Sequence, residues 1–145
     1  MGADQHMSDT APVKILLVDD EAALREPLAE YLSRQGFVVT QAASAADARN
    51  HLREETPDLT LLDIMMPELN GYEVLERMRA DPALQALPVI LISALGDTDS
   101  IVKGIELGAD DYLPKPFNPH ILRARVESSL ARKRLHDREQ LYARS

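Results

Sequence analysis

Short runs of apolar residues alternate along the chain with longer segments whose apolar positions recur every three or four residues. The runs Lys14–Val18, Phe37–Gln41, Leu59–Leu62, Val89–Ser93 and Asp111–Leu113 each predict a strand. Segments near Ala22–Gln35, Ala45–Glu54, Gly71–Arg79 and Asp99–Leu107 predict helices between them. Regular alternation of this kind points to βα units around a parallel sheet. The first, third and fourth runs are nearly all apolar, as strands covered by helices on both faces must be. Gly36 and Gly108 fall just past two helix ends, where a left-handed residue is favoured. Ser44 and either Asp97 or Asp99 suit N-caps. Pro27 is a local misfit, because inside the first helix it removes a backbone donor and predicts a bend.

From Pro119 to Ser145 no glycine occurs, and no proline follows Pro119. The segment begins as a packed helix carrying Ile121, Leu122, Val126 and Leu130, then turns charged over Arg132–Glu139. One helix running past the domain edge is the simplest reading. Ile121, Ser128, Leu135 and Tyr142 recur every seven residues, but Ser128 is polar and the companion seam is poor, short of clean coiled-coil heptads. The expected organisation is a polar tail over 1–12, a single domain over 13–131 and a helical extension over 132–145. His6-Met7 resembles a tag scar, so the tail is left out of the fold argument.

Composition narrows the classes. At 145 residues the chain suits one domain with a real core. The absence of cysteine excludes disulfides and thiolate metal sites. No apolar stretch is long enough for a membrane span, and a cytoplasmic location is the default expectation. The net charge of −8 is uneven. Residues 1–120 hold nine basic and 21 acidic side chains, whereas 121–145 hold seven basic and three acidic. An acidic body argues against direct nucleic-acid binding.

The chemistry is concentrated at strand ends. Asp19 and Asp20 follow the first strand, Asp63 the third, and Lys115 lies between two prolines just after the fifth. The carboxyl ends of strands in an open parallel sheet line one crevice, so these residues should meet there. Crowded carboxylates repel unless a cation joins them. Oxygen-rich, sulfur-free ligation suits Mg²⁺, and a lysine beside it suits a phosphoryl group. The pattern reads as a phosphoryl-transfer site. His51, His120 and His136 lack partners at metal-ligand spacing and read as surface residues; Met66 and Met78 read as packing residues.

Val18-Asp-Asp-Glu21, Leu62-Asp-Ile-Met-Met-Pro-Glu-Leu-Asn-Gly71, Ile92-Ser-Ala94 and Tyr112-Leu-Pro-Lys-Pro-Phe117 together resemble the receiver domain of two-component response regulators, over roughly residues 13–131. The resemblance implies a flavodoxin-like, doubly wound α/β fold with a five-stranded parallel sheet, helices on both faces and an extended C-terminal helix. Receivers are themselves a standard example of the strand order 2-1-3-4-5, so that order is implied by the resemblance.

By the same resemblance Asp63 accepts a phosphoryl group from a histidine kinase or histidine phosphotransfer protein. Mg²⁺ is held by Asp20 directly, by Asp19 mainly through water, by Asp63 and by the backbone carbonyl of Met65. Lys115 pairs with a phosphoryl oxygen, and the Lys115–Pro116 bond is a candidate cis peptide. Ser93 and Tyr112 form the switch, which biases the face built from the fourth helix, fifth strand and fifth helix. Met65 and Leu95 stand where receivers tune phosphoryl lifetime; both are apolar, which predicts slow self-dephosphorylation. Such a protein catalyses only its own phosphorylation and dephosphorylation. A homodimer through the switch face or the C-terminal helix is expected, as is an output domain absent from this chain.

Two other readings remain open. One is a degenerate receiver serving only as an interaction module. The other is an Asp-nucleophile phosphatase, although such sites usually carry a second acid where Met65 stands, and no cap insertion is visible.

Overall fold

The computed structural model describes residues 11–64, 71–94 and 96–144, with side chains through residue 141. Five strands and five helices alternate: β1 (Lys14–Val18), α1 (Ala22–Arg34), β2 (Val38–Ala42), α2 (Ala45–Glu54), β3 (Leu59–Asp63), α3 (Gly71–Ala80), β4 (Val89–Ala94), α4 (Thr98–Glu106), β5 (Asp111–Lys115) and α5 (Pro119–Arg144). All pair in parallel in the order β2-β1-β3-β4-β5.

Successive side chains of a strand point to opposite faces, and the core divides accordingly. Ile15, Leu17, Leu59, Leu61, Ile90 and Ile92 pack with Ala29 and Leu32 of α1 and Leu122, Val126 and Leu130 of α5. Leu16, Val18, Leu62, Val89 and Leu91 pack with Ala45 and Ala48 of α2 and Val74, Leu75 and Met78 of α3. The three central strands are buried almost throughout, which is why their sequences do not alternate. On the second face α4 lies close to the sheet at Gly104, where a Cβ would sit 2.0 Å from Leu91 Cδ1.

Helix ends set the boundaries. Gly36 and Gly108 adopt φ of +98° and +111°. At α1 the Gly36 N–H donates to Ser33 O and the Phe37 N–H to Leu32 O, the paired bonds of a Schellman ending. That engagement moves the start of β2 from the predicted Phe37 to Val38. The ending of α4 is built alike, with Gly108 N–H on Ile105 O and Ala109 N–H on Gly104 O. Ser44 caps α2 by accepting from Asp47 N, and Asp97 caps α4 by accepting from Ser100 N. Pro27 lies within α1. β5 runs two residues beyond the sequence expectation, and Pro114 is tolerated because β5 is an edge strand. The extension carries Lys115 into register with Ala94. α5 is continuous across residues 131 and 132, with no break at the expected domain boundary.

Candidate functional site

Register alone brings the predicted residues together. Asp63 ends β3 opposite Ile92, and Ser93 pairs with Pro114 in the next row. Asp19 follows β1, its N–H donating to Ala42 O at 3.0 Å. Its carboxylate accepts from Glu21 N at 2.9 Å, and its carbonyl accepts from Arg25 Nη1 at 2.7 Å. Arg25 also donates from Nε to Gln41 Oε1, so it fixes the turn after β1. The first residue of α3 sets the other side: a Cβ on Gly71 would lie 2.9 Å from the Asp63 carbonyl oxygen. Only glycine lets α3 approach the Asp63 backbone that closely. Arg25 was missed by sequence reasoning, because its acceptors, the Asp19 carbonyl and the Gln41 side chain, come near it only on folding; the packing role of Gly71 likewise had no signal.

Lys115 Nζ lies 2.8 Å from Asp63 Oδ2 and 3.4 Å from Asp19 Oδ2. Both carboxylates are buried, at 1% and 3% exposure. Burial pushes the Asp19 carboxyl above its ordinary pKa; the Glu21 N–H opposes the shift, and the neighbouring Asp63 charge adds to it. For Lys115 burial acts to lower the pKa, but the ion pairs with Asp63 and Asp19 outweigh it, and the net shift is upward. Ser93 Oγ is buried and without a hydrogen-bond partner, a state that costs about 1–3 kcal/mol. Asp20 is exposed. The ligand atoms of Asp19, Asp20 and Glu21 lie within 4.8 Å of one another. Glu21, like Asp20, is exposed, while Asp63 joins the cluster through Asp19.

Two buried carboxylates share one lysine, with further oxygen donors beside them. The surplus of negative charge and the all-oxygen donor set fit a hard divalent cation. The Met65 carbonyl, Met66 and Leu95 lie outside the described residues. Tyr112 projects from β5 with 39% exposure, and the Lys115–Pro116 bond, a cis candidate from the resemblance, is cis. His51 faces Asp47 across 3.4 Å, His120 Nδ1 bonds Tyr31 Oη at 3.1 Å, and His136 is exposed; none approaches the cluster. Beside the site a hollow of about 550 Å³ is walled mainly by apolar residues, among them Leu24, Pro27, Tyr31 and Phe117, with Lys115 at its rim. No helix among the described residues is long and apolar enough to cross a membrane.

Comparisons with known proteins agree with this fold. The model of the response regulator receiver domain matches residues 15–127. The chain is 45% identical over 118 residues to the transcriptional regulatory protein GltR of Pseudomonas aeruginosa, covering 81% of this chain and 49% of that protein. It is 43% identical over 124 residues to the DNA-binding response regulator MtrA of Mycobacterium bovis, covering 86% and 53%. The chain therefore spans about half the length of the curated relatives it matches. Among solved structures, a CheY-like receiver domain from Methanospirillum hungatei superposes with a TM-score of 0.81 at 27% identity, covering 87% of this chain and 99% of that one. NtrX from Brucella abortus gives 0.83 at 30% identity, over 90% of this chain and 30% of that one. The family model spans most of the chain, and this chain belongs to the response regulator receiver domain family.

Proposed function

We propose that this receiver accepts a phosphoryl group on Asp63 from a histidine kinase or a histidine phosphotransfer protein. The observation that carries the reading is the contact of Lys115 Nζ with Asp63 Oδ2 at a rim where Asp19 is also buried. An Asp63 carboxylate oxygen attacks phosphorus, the bond from phosphorus to the donor histidine nitrogen breaks, and the electron pair stays on that nitrogen. The product is an acyl phosphate. Lys115 turns from the carboxylate to the incoming oxygens, and the unpartnered Ser93 Oγ supplies a donor to one of them. Asp19, Asp20 and Asp63 would hold Mg²⁺, which supplies charge neutralisation during transfer. The apolar hollow beside Lys115 suits the phosphodonor's helical surface.

Once Ser93 engages the phosphoryl group, Tyr112 turns inward from its exposed position. The face of α4, β5 and α5 then changes its affinity for a partner, a second copy or an output domain. Val102 and Ile105 are exposed on α4 and available to such a partner. The chemistry is confined to the protein's own phosphorylation and dephosphorylation, with slow hydrolysis and a cytoplasmic setting. The intact set of Asp19, Asp20, Asp63, Ser93 and Lys115 favours this over a receiver used only for interaction.

The test is incubation with acetyl phosphate and Mg²⁺ followed by intact mass. One added phosphoryl group, absent in Asp63→Asn, is the expected result. An unmodified parent, or uptake that persists in Asp63→Asn, overturns the assignment.

A further inference from the structure

At the end of the sheet remote from Asp63, a hollow of about 350 Å³ opens between α5 and the loops that lead into β4 and β5. Its size falls at the lower end of small-ligand sites, roughly 300–1,000 Å³. From the body it is lined by the apolar Ala86, Pro88 and Gly108 and by the charged Arg79 and Asp110. The other side is one stripe of α5. Ser129, Arg132, Lys133 and His136 all line the hollow. At about 100° per residue they share an arc of about 100° on the helix surface.

The charges in the hollow do not balance. Asp110 is the one carboxylate among its lining residues, and it is engaged twice, by Arg79 Nη2 at 2.9 Å and by Val89 N at 2.8 Å. Arg79 donates its other N–H groups to the carbonyls of Gln85, Leu87 and Gly108. That pair is closed to a ligand. The stripe on α5 is not. Arg132 reaches the Ser128 hydroxyl at 3.4 Å and the Ser129 hydroxyl at 3.1 Å, and no carboxylate among the described residues. Lys133, with a side chain 21% exposed, holds Asp137, which does not line the hollow. His136 is exposed one turn beyond Arg132 and adds a ring N–H.

Three unlike donors in one arc suit a phosphate better than a carboxylate. A guanidinium fork alone matches a planar carboxylate, whereas a phosphate has oxygens left for an ammonium point charge and an imidazole N–H. The hydroxyls that Arg132 now bonds are neutral acceptors, which charged oxygens outcompete. The hollow is larger than one phosphate, and its apolar wall accepts a second group behind it. We infer that it binds a small molecule bearing linked phosphates, held by Arg132, Lys133 and His136 and packed against Ala86 and Pro88. The inference does not rest on the phospho-acceptor reading, since the hollow lies at the opposite end of the strands from Asp63. A ligand there ties α5 to the loops before β4 and β5.

Calorimetric titration of the full chain with pyrophosphate in EDTA tests the proposal. EDTA keeps divalent ions, and with them the Asp63 rim, out of the reading. One saturable site with a Kd below about 1 mM is expected, unchanged in Asp63→Asn. Arg132→Gln should weaken binding about tenfold, the loss of one charge-assisted contact, and adding Lys133→Gln should remove it. Arg138→Gln takes the same charge from the opposite side of the same helix, so its Kd should match the parent's. Arg132 and Arg138 are both exposed, and both single variants should keep the parent's Tm. Amide NMR shifts should concentrate at Gln85, Ala86, Gly108 and Asp110. No saturation by about 10 mM pyrophosphate overturns the proposal. So do equal losses in Arg132→Gln and Arg138→Gln, which would reduce the effect to the general charge of the helix, or shifts that spread along α5 without reaching those loops.

Discussion

The two ends of the sheet hold charged residues of similar kind and use them in opposite ways. At the N-terminal end of the strands, Arg79 of α3 donates to the carbonyls of Gly108, Gln85 and Leu87 and pairs with Asp110 at 2.9 Å. Asp110 also accepts from Val89 N, and Asp58 accepts from Lys14 N. These groups are matched, and their matching closes the ends of α3 and α4 onto the sheet. At the other end, Asp19 and Asp63 compete for Lys115 and Ser93 Oγ has no partner. A rim held short of satisfaction is a cost to the fold and a readiness for a ligand; the difference separates the residues that build this molecule from those that operate it.

Breaking the satisfied end should produce the largest loss of stability. Arg79→Met keeps most of the side-chain volume but removes the side-chain donor from the Gly108 and Leu87 carbonyls and the ion-pair partner from Asp110, which keeps its bond from Val89 N. A loss of about 3 kcal/mol in urea unfolding is expected. Phosphoryl uptake per folded molecule should not change, because Arg79 is at the far end from Asp63. A variant as stable as the parent would remove the contrast between the two ends.

Gly71→Ala probes the working end through its backbone. The added Cβ would sit 2.9 Å from the Asp63 carbonyl and 3.2 Å from Ile64 Cα. Neither backbone atom can yield cheaply, so a loss of about 1–3 kcal/mol is expected. Unlike Arg79→Met, this change should also slow uptake from acetyl phosphate in the protein that remains folded. Normal uptake kinetics would show that Asp63 tolerates the displacement.

These two residues also mark what was legible in the sequence. The apolar runs gave the three central strands directly, because nearly fully buried strands leave continuous signals, whereas β2 and β5 are partly exposed and their runs are mixed. Asp19, Asp63 and Lys115 stood out from their places at strand ends and Ser93 only through the family resemblance; register brings β3, β4 and β5 together there. Phe37 was misplaced by one residue because its N–H closes a helix end, a backbone engagement that composition does not show. Arg79 drew no notice: a basic residue in the last turn of a helix looks like a solvated one, and its acceptors are carbonyls brought near only by folding.

Asp19→Asn tests the sign of the contrast. The Asp19 carboxyl sits above its ordinary pKa, chiefly through burial. In acid both folded and unfolded chains hold this proton, and the group has no effect on stability. As pH rises through the carboxylate range the unfolded chain ionises first, so folding is penalised, and the penalty is complete above the folded pKa. In EDTA at neutral pH, Asp19→Asn should therefore be more stable than the parent, by on the order of 1 kcal/mol. The advantage should shrink as pH falls. A destabilised variant under those conditions would mean that the carboxylate is compensated in the free protein.

The smallest effect should come from the exposed pair at the satisfied end. Lys14 Nζ contacts Glu55, and both side chains are largely in water. The Glu55 hydrogen bond and charge raise the Lys14 pKa. A raised lysine contributes stability that is complete below its unfolded pKa and is lost as pH rises through the folded one. The contribution should thus fade only above the ordinary lysine range, and solvent screening keeps it slight throughout. Glu55→Gln should melt almost with the parent at neutral pH in low salt, and the remaining gap should close in high salt. A drop approaching that of Arg79→Met would show that the strand-start rim depends on charge wherever it is found. The expected near-silence instead assigns its stability to the charges that are both desolvated and bonded to backbone carbonyls, which Lys14 and Glu55 are not.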